Sequence, residues 1–327
     1  MMPTAQRRLL FALLAILSAA SILLASRVGS VPMDWSQWWA AIGSSQSEFG
    51  ELVWRLRLPR AGAAWTVGAL LSLSGCLMQI LLRNPLADPY ILGVSGGASF
   101  FALLGMSLGL AAVSLPALAW TGALVSIILV FSLARGKGPW SATRLLLTGV
   151  VTASGWGALI TLLLTLGPDS SLRGMLFWLI GDLSYADLPW WAVGVLLAVF
   201  ATCFALARSL NVLAMGETTA RLLGEPTGRL LWLIYLMASI LTATAVSIAG
   251  NIGFVGLIVP HLMRLMIGSD HRVLLPAAAM FGGLFLVLSD TLARTALAPR
   301  QLPVGVVTAL LGVPLFLALL NRARVRQ

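Results

Sequence analysis

The sequence predicts an all-α integral membrane protein with about ten transmembrane helices. Of its 327 residues, 59% are hydrophobic and only 10% are charged, and the mean hydropathy is +0.96. A soluble domain carries about 25% charged residues, so this composition excludes an ordinary soluble protein. Apolar runs of about 17 to 25 residues recur along the chain, and each is long enough to cross a bilayer as a helix. We therefore expect a single transmembrane domain over residues 1–327.

The apolar runs are separated by short polar segments that contain glycine and proline. They lie at about 9–26, 61–82, 91–110, 114–134, 145–167, 189–207, 230–249, 252–267, 273–293 and 304–320. The eighth run is short and contains Gly253, Gly256 and Pro260, so we expect it to be broken or to stop short of one surface. The first run follows Arg7 and Arg8, which is also typical of a cleaved signal peptide. If this run instead remains as the first helix, the chain has an even number of spans and both of its ends lie on one side of the membrane.

The distribution of basic residues predicts that both termini are cytoplasmic. In that orientation, 14 of the 21 Lys and Arg residues lie in cytoplasmic segments, and the outer segments carry no net charge. Membrane topology therefore explains the formal net charge of +10, and no nucleic-acid partner is needed to account for it.

The loops are too short to hold a folded catalytic or nucleotide-binding domain. The Gly-Lys pair at Lys137 lacks the other residues of a phosphate-binding loop, and neither His261 nor His271 has metal-ligand spacing around it. We therefore expect no enzyme activity, no metal site and no cofactor in this chain. Asp290 is the only candidate acid within a span, which weakens an ion-coupled carrier. A subunit driven by a separate ATPase is favoured, with an ion-coupled carrier and a membrane-embedded receptor or scaffold as alternatives.

Residues 217–223 predict a short helix that cannot cross a bilayer. Glu217 favours the helix start, and Gly224 and Pro226 end it. Its remaining members are Thr218, Thr219, Ala220, Arg221, Leu222 and Leu223. Their mixed charges argue against a helix that lies on lipid, which would be rich in Lys and Arg. We therefore expect residues 216–224 to dock in a groove of a soluble partner and to transmit its motion to the spans.

Two arginines, Arg57 and Arg60, flank Pro59 at the predicted outer end of the second span. Arginine is disfavoured on that side, and the dipole of a helix N-terminus opposes it. Lipid phosphates could offset both penalties. Carboxylates of an extracytoplasmic partner could do the same and would also fix its register.

Several stretches along the chain together resemble the permease subunits of ABC importers for metal chelates, namely cobalamin, ferric siderophores and haem. They are RLRLPR, RNPLADPYILGVSGGAS, FWLIGDLS, GETTARLLG, GNIGFVGLIVPHLMRL, DHRVLLP and LPVGVVTALLGVPLFLALL, in order from about residue 55 to 320. The resemblance implies a homodimer of ten-helix subunits in the bacterial inner membrane. It further implies two ATPase chains that bind ATP and Mg²⁺, and a periplasmic substrate-binding protein.

The resemblance also implies roles for particular residues. Residues 217–224 match the family's coupling helix, which contacts the ATPase. Asn84 and Leu86 would help to close the cytoplasmic gate, where Arg83 and Asp88 would keep the loop at the wet surface. A second gate segment matches Ser141, Ala142 and Thr143, although Ala142 lacks the hydroxyl that some relatives carry.

On the outer face, the resemblance implies that Arg57, Arg60 and Arg294 meet glutamates of the binding protein, with Arg300 as a nearby substitute. Trp178 and Asp182 would border the substrate entrance. The amino-acid sequence of the RNPLADPYILGVSGGAS stretch most resembles that of cobalamin-type members. Siderophore and haem members share most of it, so these substrates stay open as alternatives.

Overall fold

The protein folds as a bundle of helices. A computed structural model describes residues 4–135, 142–184 and 186–324, which form fourteen α-helices and no strand. The helices are α1 (Thr4–Arg27), α2 (Trp35–Gly43), α3 (Leu58–Leu81), α4 (Val94–Ser107), α5 (Leu115–Arg135), α6 (Ala142–Leu166), α7 (Asp169–Ile180), α8 (Trp190–Ala205), α9 (Ala207–Ala214), α10 (Glu217–Leu222), α11 (Thr227–Ala249), α12 (Val255–Ile267), α13 (His271–Thr295) and α14 (Val304–Arg324). A π-helical segment, Leu52–Arg57, leads directly into α3, and a 3₁₀ turn at Pro89–Leu92 precedes α4.

The helices confirm a multi-pass membrane protein. Six of those described, α1, α3, α5, α6, α11 and α13, are long and apolar enough to cross a bilayer. Helices α8 and α9 pass the same test together but are bent by 64°. Helices α4, α12 and α14 are shorter and apolar. Each of the ten predicted apolar runs overlaps one of these helices, although length alone establishes only six spans, or seven with the bent pair.

Helix α12 confirms the prediction of a broken eighth span. It has only 13 residues, and the chain before it, from Gly250 to Phe254, is not helical. The predicted loops also contain helices of their own: α2 follows α1, α7 follows α6, and α9 and α10 follow α8.

Helix α3 lies at the centre of the bundle, where it packs against α1, α8, α11, α12 and α13. Glycines allow the closest approaches. A Cβ atom at Gly68 would lie 2.2 Å from the carbonyl oxygen of Gly282 on α13, and one at Gly75 would lie 1.8 Å from that of Gly256 on α12. Real side chains cannot come so near to backbone, so both positions of α3 need glycine. Gly282 is needed as well, because its Cβ atom would lie 2.5 Å from the carbonyl oxygen of Gly68.

The chain between α3 and α4 turns back into the bundle. Its first residues, from Arg83 to Pro85, are exposed, whereas Pro89 is buried against Gly256 of α12. Asp88 is half-buried, and its carboxylate accepts a hydrogen bond from the Tyr90 N–H at 2.8 Å. Arg83 is therefore exposed as expected, whereas Asp88 keeps only part of its surface exposed. Non-helical backbone is tolerated at membrane depth only where protein or a cavity surrounds it.

Candidate functional site

The predicted functional residues lie at the two ends of the bundle. We call the end that carries α10, residues 83–87 and the start of α13 the coupling end. The opposite end carries Arg57, Arg60 and Arg294, and we call it the arginine end. Helix α13 runs from the first to the second, because His271 lies beside α9 and Arg294 lies in its last turn.

Helix α10 confirms the predicted short helix and ends one residue earlier than expected. It begins after Gly216, whose φ of +118° favours glycine, and Arg221 forms an ion pair with Glu217 one turn away. Ala220 is fully buried, while the side chains of Leu222 and Leu223 are 83% and 63% exposed. The helix therefore presents two large apolar side chains away from the bundle, which is typical of a surface that a partner covers.

The hairpin of α9 and α10 is tied together by side chains. The Ser209 hydroxyl donates to the Glu225 carboxylate at 3.1 Å, and the Arg221 guanidinium donates to the Thr227 hydroxyl at 3.1 Å. The Glu225 N–H also donates to the Ala220 carbonyl at 3.0 Å. These contacts fix α10 to α9 on one side and to the start of α11 on the other.

Asn211 on α9 joins this hairpin to α13, a contact that sequence reasoning missed. Its amide group donates to the Asp270 carboxylate at 2.9 Å and accepts the His271 N–H at 2.9 Å. Burial alone would raise the pKa of Asp270, but the hydrogen bonds from Asn211 and from the Arg272 N–H hold it below its usual value. Asp270 is therefore ionised at neutral pH while it caps α13.

The predicted gate residues are only partly described. Asn84 is exposed, and its side-chain oxygen accepts the Leu86 N–H at 2.9 Å, so it shapes the turn that carries half-buried Leu86. Thr143 is exposed in the first turn of α6, and Ala142 begins that helix. Ser141 lies outside the described residues. The structure therefore brings Asn84, Leu86 and α6 to the same end of the bundle, and the gating role itself stays a prediction.

Beyond this loop, Tyr90 joins the two non-helical segments inside the bundle. Its hydroxyl donates to the Ile252 carbonyl and accepts the Ile252 N–H, both at 3.1 Å. One hydroxyl thus satisfies both backbone groups of a residue that lies just before α12, where no helical partner is available.

At the arginine end, Arg57 and Arg294 close the C-terminus of α1. The Arg57 guanidinium donates to the carbonyls of Arg27, Ser26 and Val31, and that of Arg294 donates to the carbonyls of Ala25 and Val28. The last carbonyls of a helix have no partner within the helix and carry its negative dipole, so they attract cations.

The Asp290 carboxylate pairs with two arginines of this end, Arg60 and Arg294. Arg60 forms a two-pronged contact with this carboxylate, with nitrogen–oxygen distances of 2.8 and 3.0 Å, and the Arg294 guanidinium approaches the same carboxylate at 3.1 Å. Asp290 is only 1% exposed, and Arg57, Arg60 and Arg294 are all buried. The Asp290 carboxylate and the carbonyls of α1 thus compensate the positive charges of these arginines. They offset both the predicted disfavour for arginine on the outer side and the opposing dipole of a helix N-terminus. Whether a partner also contacts these arginines stays a prediction.

Asp182, one of the two expected entrance residues, connects to this cluster through Ser184 and Gln301. The Ser184 hydroxyl donates to the Asp182 carboxylate at 2.7 Å and lies 3.4 Å from the side-chain oxygen of Gln301, which accepts Arg60 at 3.1 Å. Trp178, half-buried near the end of α7, accepts the Asn251 N–H with its carbonyl at 3.3 Å. Sequence reasoning identified Asp182 and Arg60 separately, and it missed Gln301, which links them.

One long face of α6 is exposed and chemically mixed. It carries leucine and valine side chains beside Ser154, Thr161 and Thr165. Each of these hydroxyls donates to a carbonyl one turn earlier in its own helix, at 2.8 to 3.0 Å. The face is therefore moderately polar yet needs no external hydrogen-bond partner.

Comparison with known proteins gives consistent matches over most of the chain. The model of the FecCD transport family matches residues 13–322. The chain is 39% identical over 326 residues to the uncharacterized ABC transporter permease protein YvrB of Bacillus subtilis, which covers 93% of this chain and 91% of that protein. It is 43% identical over 280 residues to the cobalamin import system permease protein BtuC of Halobacterium salinarum, covering 84% and 74%. It is 41% identical over 294 residues to the vitamin B12 import system permease protein BtuC of Salmonella typhi, covering 87% and 88%.

Solved structures agree with these matches. A structure assigned to the metal-chelate type of ABC transporter, in an inward-facing conformation, has a TM-score of 0.84 and 30% identity and covers 96% of this chain and 99% of its own. PsaBC from Streptococcus pneumoniae, in complex with Fab, shares the fold alone, with a TM-score of 0.58 and 18% identity over 82% of this chain and 92% of its own. The chain belongs to the FecCD transport family and is the permease subunit of a metal-chelate type ABC importer.

Proposed function

We propose that this permease passes cobalamin across the bacterial inner membrane, as a homodimer of ten-helix subunits driven by two ATPase chains and supplied by a periplasmic binding protein. The observation that carries the proposal is α10, a short helix fixed to the bundle with Leu222 and Leu223 exposed at its tip. It offers a partner an apolar contact on a rigid support. ATP and Mg²⁺ would bind to that partner and not to this chain.

Cobalamin is the preferred substrate because relatives named for cobalamin or vitamin B12 import are 41% and 43% identical to the chain. Ferric siderophores and haem are the second candidates, because permeases for these chelates share most of the loop motif that starts at Arg83. The binding protein, a separate chain, would select among these substrates.

In the proposed mechanism, ATP binding and hydrolysis move α10, and the two ends of the path open alternately. The exposed face of α6 is a suitable lining, because its hydroxyls are satisfied within the helix and would not hold a passing chelate tightly. Asn84, Leu86 and Thr143 would close the coupling end. Arg57, Arg60 and Arg294 would face the binding protein, whose carboxylates would have to approach guanidiniums that already have partners within the chain.

The state of Asp290 argues against an ion-coupled carrier. Such carriers use acids within the membrane that bind and release a proton or a cation. Asp290 already contacts two guanidiniums within the chain, so its carboxylate oxygens are occupied and are not free to bind a further cation. A receptor or scaffold has no need for the exposed, mixed face of α6.

The test is uptake into proteoliposomes that contain the permease and its ATPase, with binding protein loaded with labelled cobalamin, a ferric siderophore or haem. We expect cobalamin uptake that requires hydrolysable ATP and persists when ion gradients are collapsed. Uptake of an iron chelate alone would overturn the substrate. Uptake driven by an ion gradient without ATPase would overturn the mechanism. The double variant Leu222→Ala, Leu223→Ala should abolish uptake, whereas Leu108→Ala, equally exposed at the end of α4, should not.

A further inference from the structure

The proposed function assigns no role to the contact between α9 and α13. It joins the residue Asn211, six positions before the coupling helix, to the start of α13, about 60 residues further along the chain. The motif DHRVLLP, which begins at Asp270, also has no role yet. The structure brings these two stretches together through one amide side chain.

We propose that Asn211 is the positioning residue that transmits movement of α10 to α13. This inference rests on the proposed function, since it assumes that a partner ATPase moves α10. Asn211 would touch neither the substrate nor the ATPase. It would act by keeping the hairpin of α9 and α10 in register with the first turn of α13.

The chemistry of the contact suits such a link. The Asn211 amide donates to the Asp270 carboxylate and accepts the His271 N–H, so both halves of the amide are used and its orientation is fixed. The His271 ring nitrogen Nδ1 lies 2.6 Å from the same amide oxygen. The Asp270 carboxylate in turn accepts the Arg272 N–H at 3.1 Å and caps α13. A shift of α9 would therefore pull directly on backbone groups of α13.

The neighbouring contacts make this a firm connection. On α9, Leu210 and Leu213 are buried in the core on either side of Asn211, so the helix cannot roll freely. The 64° bend between α8 and α9 means that α9 is not a simple extension of the preceding span. Ser209 ties α9 to Glu225 beyond α10. The hairpin can thus move as one body, and Asn211 is its polar contact with α13.

Helix α13 can carry that movement to the arginine end. From His271 to Asp290 is 19 residues, or about 28 Å at a rise of 1.5 Å per residue. At that distance the Asp290 carboxylate holds Arg60 of α3 and Arg294. One helix therefore connects the proposed ATPase contact with the proposed binding-protein contact. Coupling between distant sites can travel through such a chain of hydrogen bonds, ion pairs and a rigid helix.

The test exchanges the amide of Asn211 and the carboxylate of Asp270 in the assembled transporter. Asn211→Asp places a carboxylate against that of Asp270 and removes the donor between them. Asp270→Asn alone keeps the hydrogen bond, because the new amide oxygen can accept from Asn211 and still cap α13. In the double variant, Asn211→Asp with Asp270→Asn, the roles are exchanged and the pair is restored. Arg208→Ala, an exposed position on the same helix, is the matched control.

The readout is the number of ATP molecules hydrolysed per substrate transported, with ATPase co-purification as a check on assembly. Asn211→Asp removes the donor that joins α9 to Asp270, so we expect this ratio to rise by about fivefold or more, a change as large as the lower end of the couplings measured between two binding sites. The double variant should restore it, and Asp270→Asn and Arg208→Ala should stay near wild type. A normal ratio for Asn211→Asp, or a double variant no better than that single change, would overturn the link and leave the permease function standing. Absence of ATP-driven uptake by the wild type would overturn the proposed function and this inference with it.

Discussion

Replacing Asp290 by asparagine should destabilise the protein strongly, because one buried acid serves two buried guanidiniums. Its carboxylate contacts Arg60 and Arg294, at 2.8 and 3.1 Å. Removing one partner from a buried ion pair costs about 3–5 kcal/mol, since it leaves an uncompensated charge away from water. An asparagine keeps the size and one hydrogen-bond acceptor, so the loss reports on charge and not on a cavity.

The assay is thermal unfolding of the purified permease in detergent or nanodiscs. With about 2 °C per kcal/mol, the smaller value that suits a larger chain, we expect Asp290→Asn to lower the melting temperature by about 6–10 °C. The matched control is Glu51→Gln, which also turns a carboxylate into an amide. Glu51 pairs with Arg55 at the surface, where the two side chains are 71% and 78% exposed. Such a pair contributes about 0–1 kcal/mol, so the control should shift the melting temperature by less than about 2 °C.

Equal melting temperatures for the two variants would refute the reasoning. They would mean that the arginines of this end are solvated or find other anions when Asp290 is neutral. The stability of the cluster would then not depend on the acid.

Three further predictions concern helix packing, the hydrogen bonds of a buried backbone segment and the binding of the ATPase. Gly75→Ala should prevent folding or greatly reduce the yield of folded protein, because its Cβ atom would lie 1.8 Å from a backbone oxygen of α12. In contrast, Gly155→Ala on the exposed face of α6 meets nothing within 4 Å and should be neutral or stabilising by up to about 1 kcal/mol. Tyr90→Phe leaves the N–H and carbonyl of Ile252 unpaired and should cost about 1–3 kcal/mol for each group, measured as a lower melting temperature; an unchanged value would show that water replaces the hydroxyl. Leu222→Ala should leave the melting temperature unchanged and weaken ATPase binding by about tenfold, since a buried leucine contributes about 1.5–3 kcal/mol; unchanged affinity would place the contact elsewhere.

The positions of the apolar runs and of the glycines and prolines between them were sufficient to predict the apolar helices and α10, but not α2 and α9 in the loops. The spans depend on local composition, and the short helix α10 depends on its own acidic start and on Gly224 at its end. The close contacts of Gly68 and Gly75 on α3 were not predictable, because their partners Gly282 and Gly256 lie far away in the chain. The paths of the non-helical segments were not predictable, because Tyr90 finds Ile252 only after both helices are placed.

The polar contacts were harder to predict because their partners are far apart in the chain. The sequence shows that arginine is disfavoured at Arg57 and Arg60, but Asp290 lies 230 residues beyond Arg60. Asn211 carries no local signal, since an asparagine on a short amphipathic helix is usually a solvated residue. Only the fold shows that its amide lies against the start of α13.

The way in which α1 ends bears on whether the first helix can be removed. Two guanidiniums, those of Arg57 and Arg294, take the last carbonyls of α1, and the Trp38 indole donates to the Ser26 hydroxyl at 3.0 Å. A chain cleaved after this segment would leave the Arg57 and Arg294 guanidiniums without the backbone acceptors that they now contact. Cleavage would therefore remove the backbone oxygens that face these two guanidiniums, so we expect loss of the first helix to destabilise the arginine end.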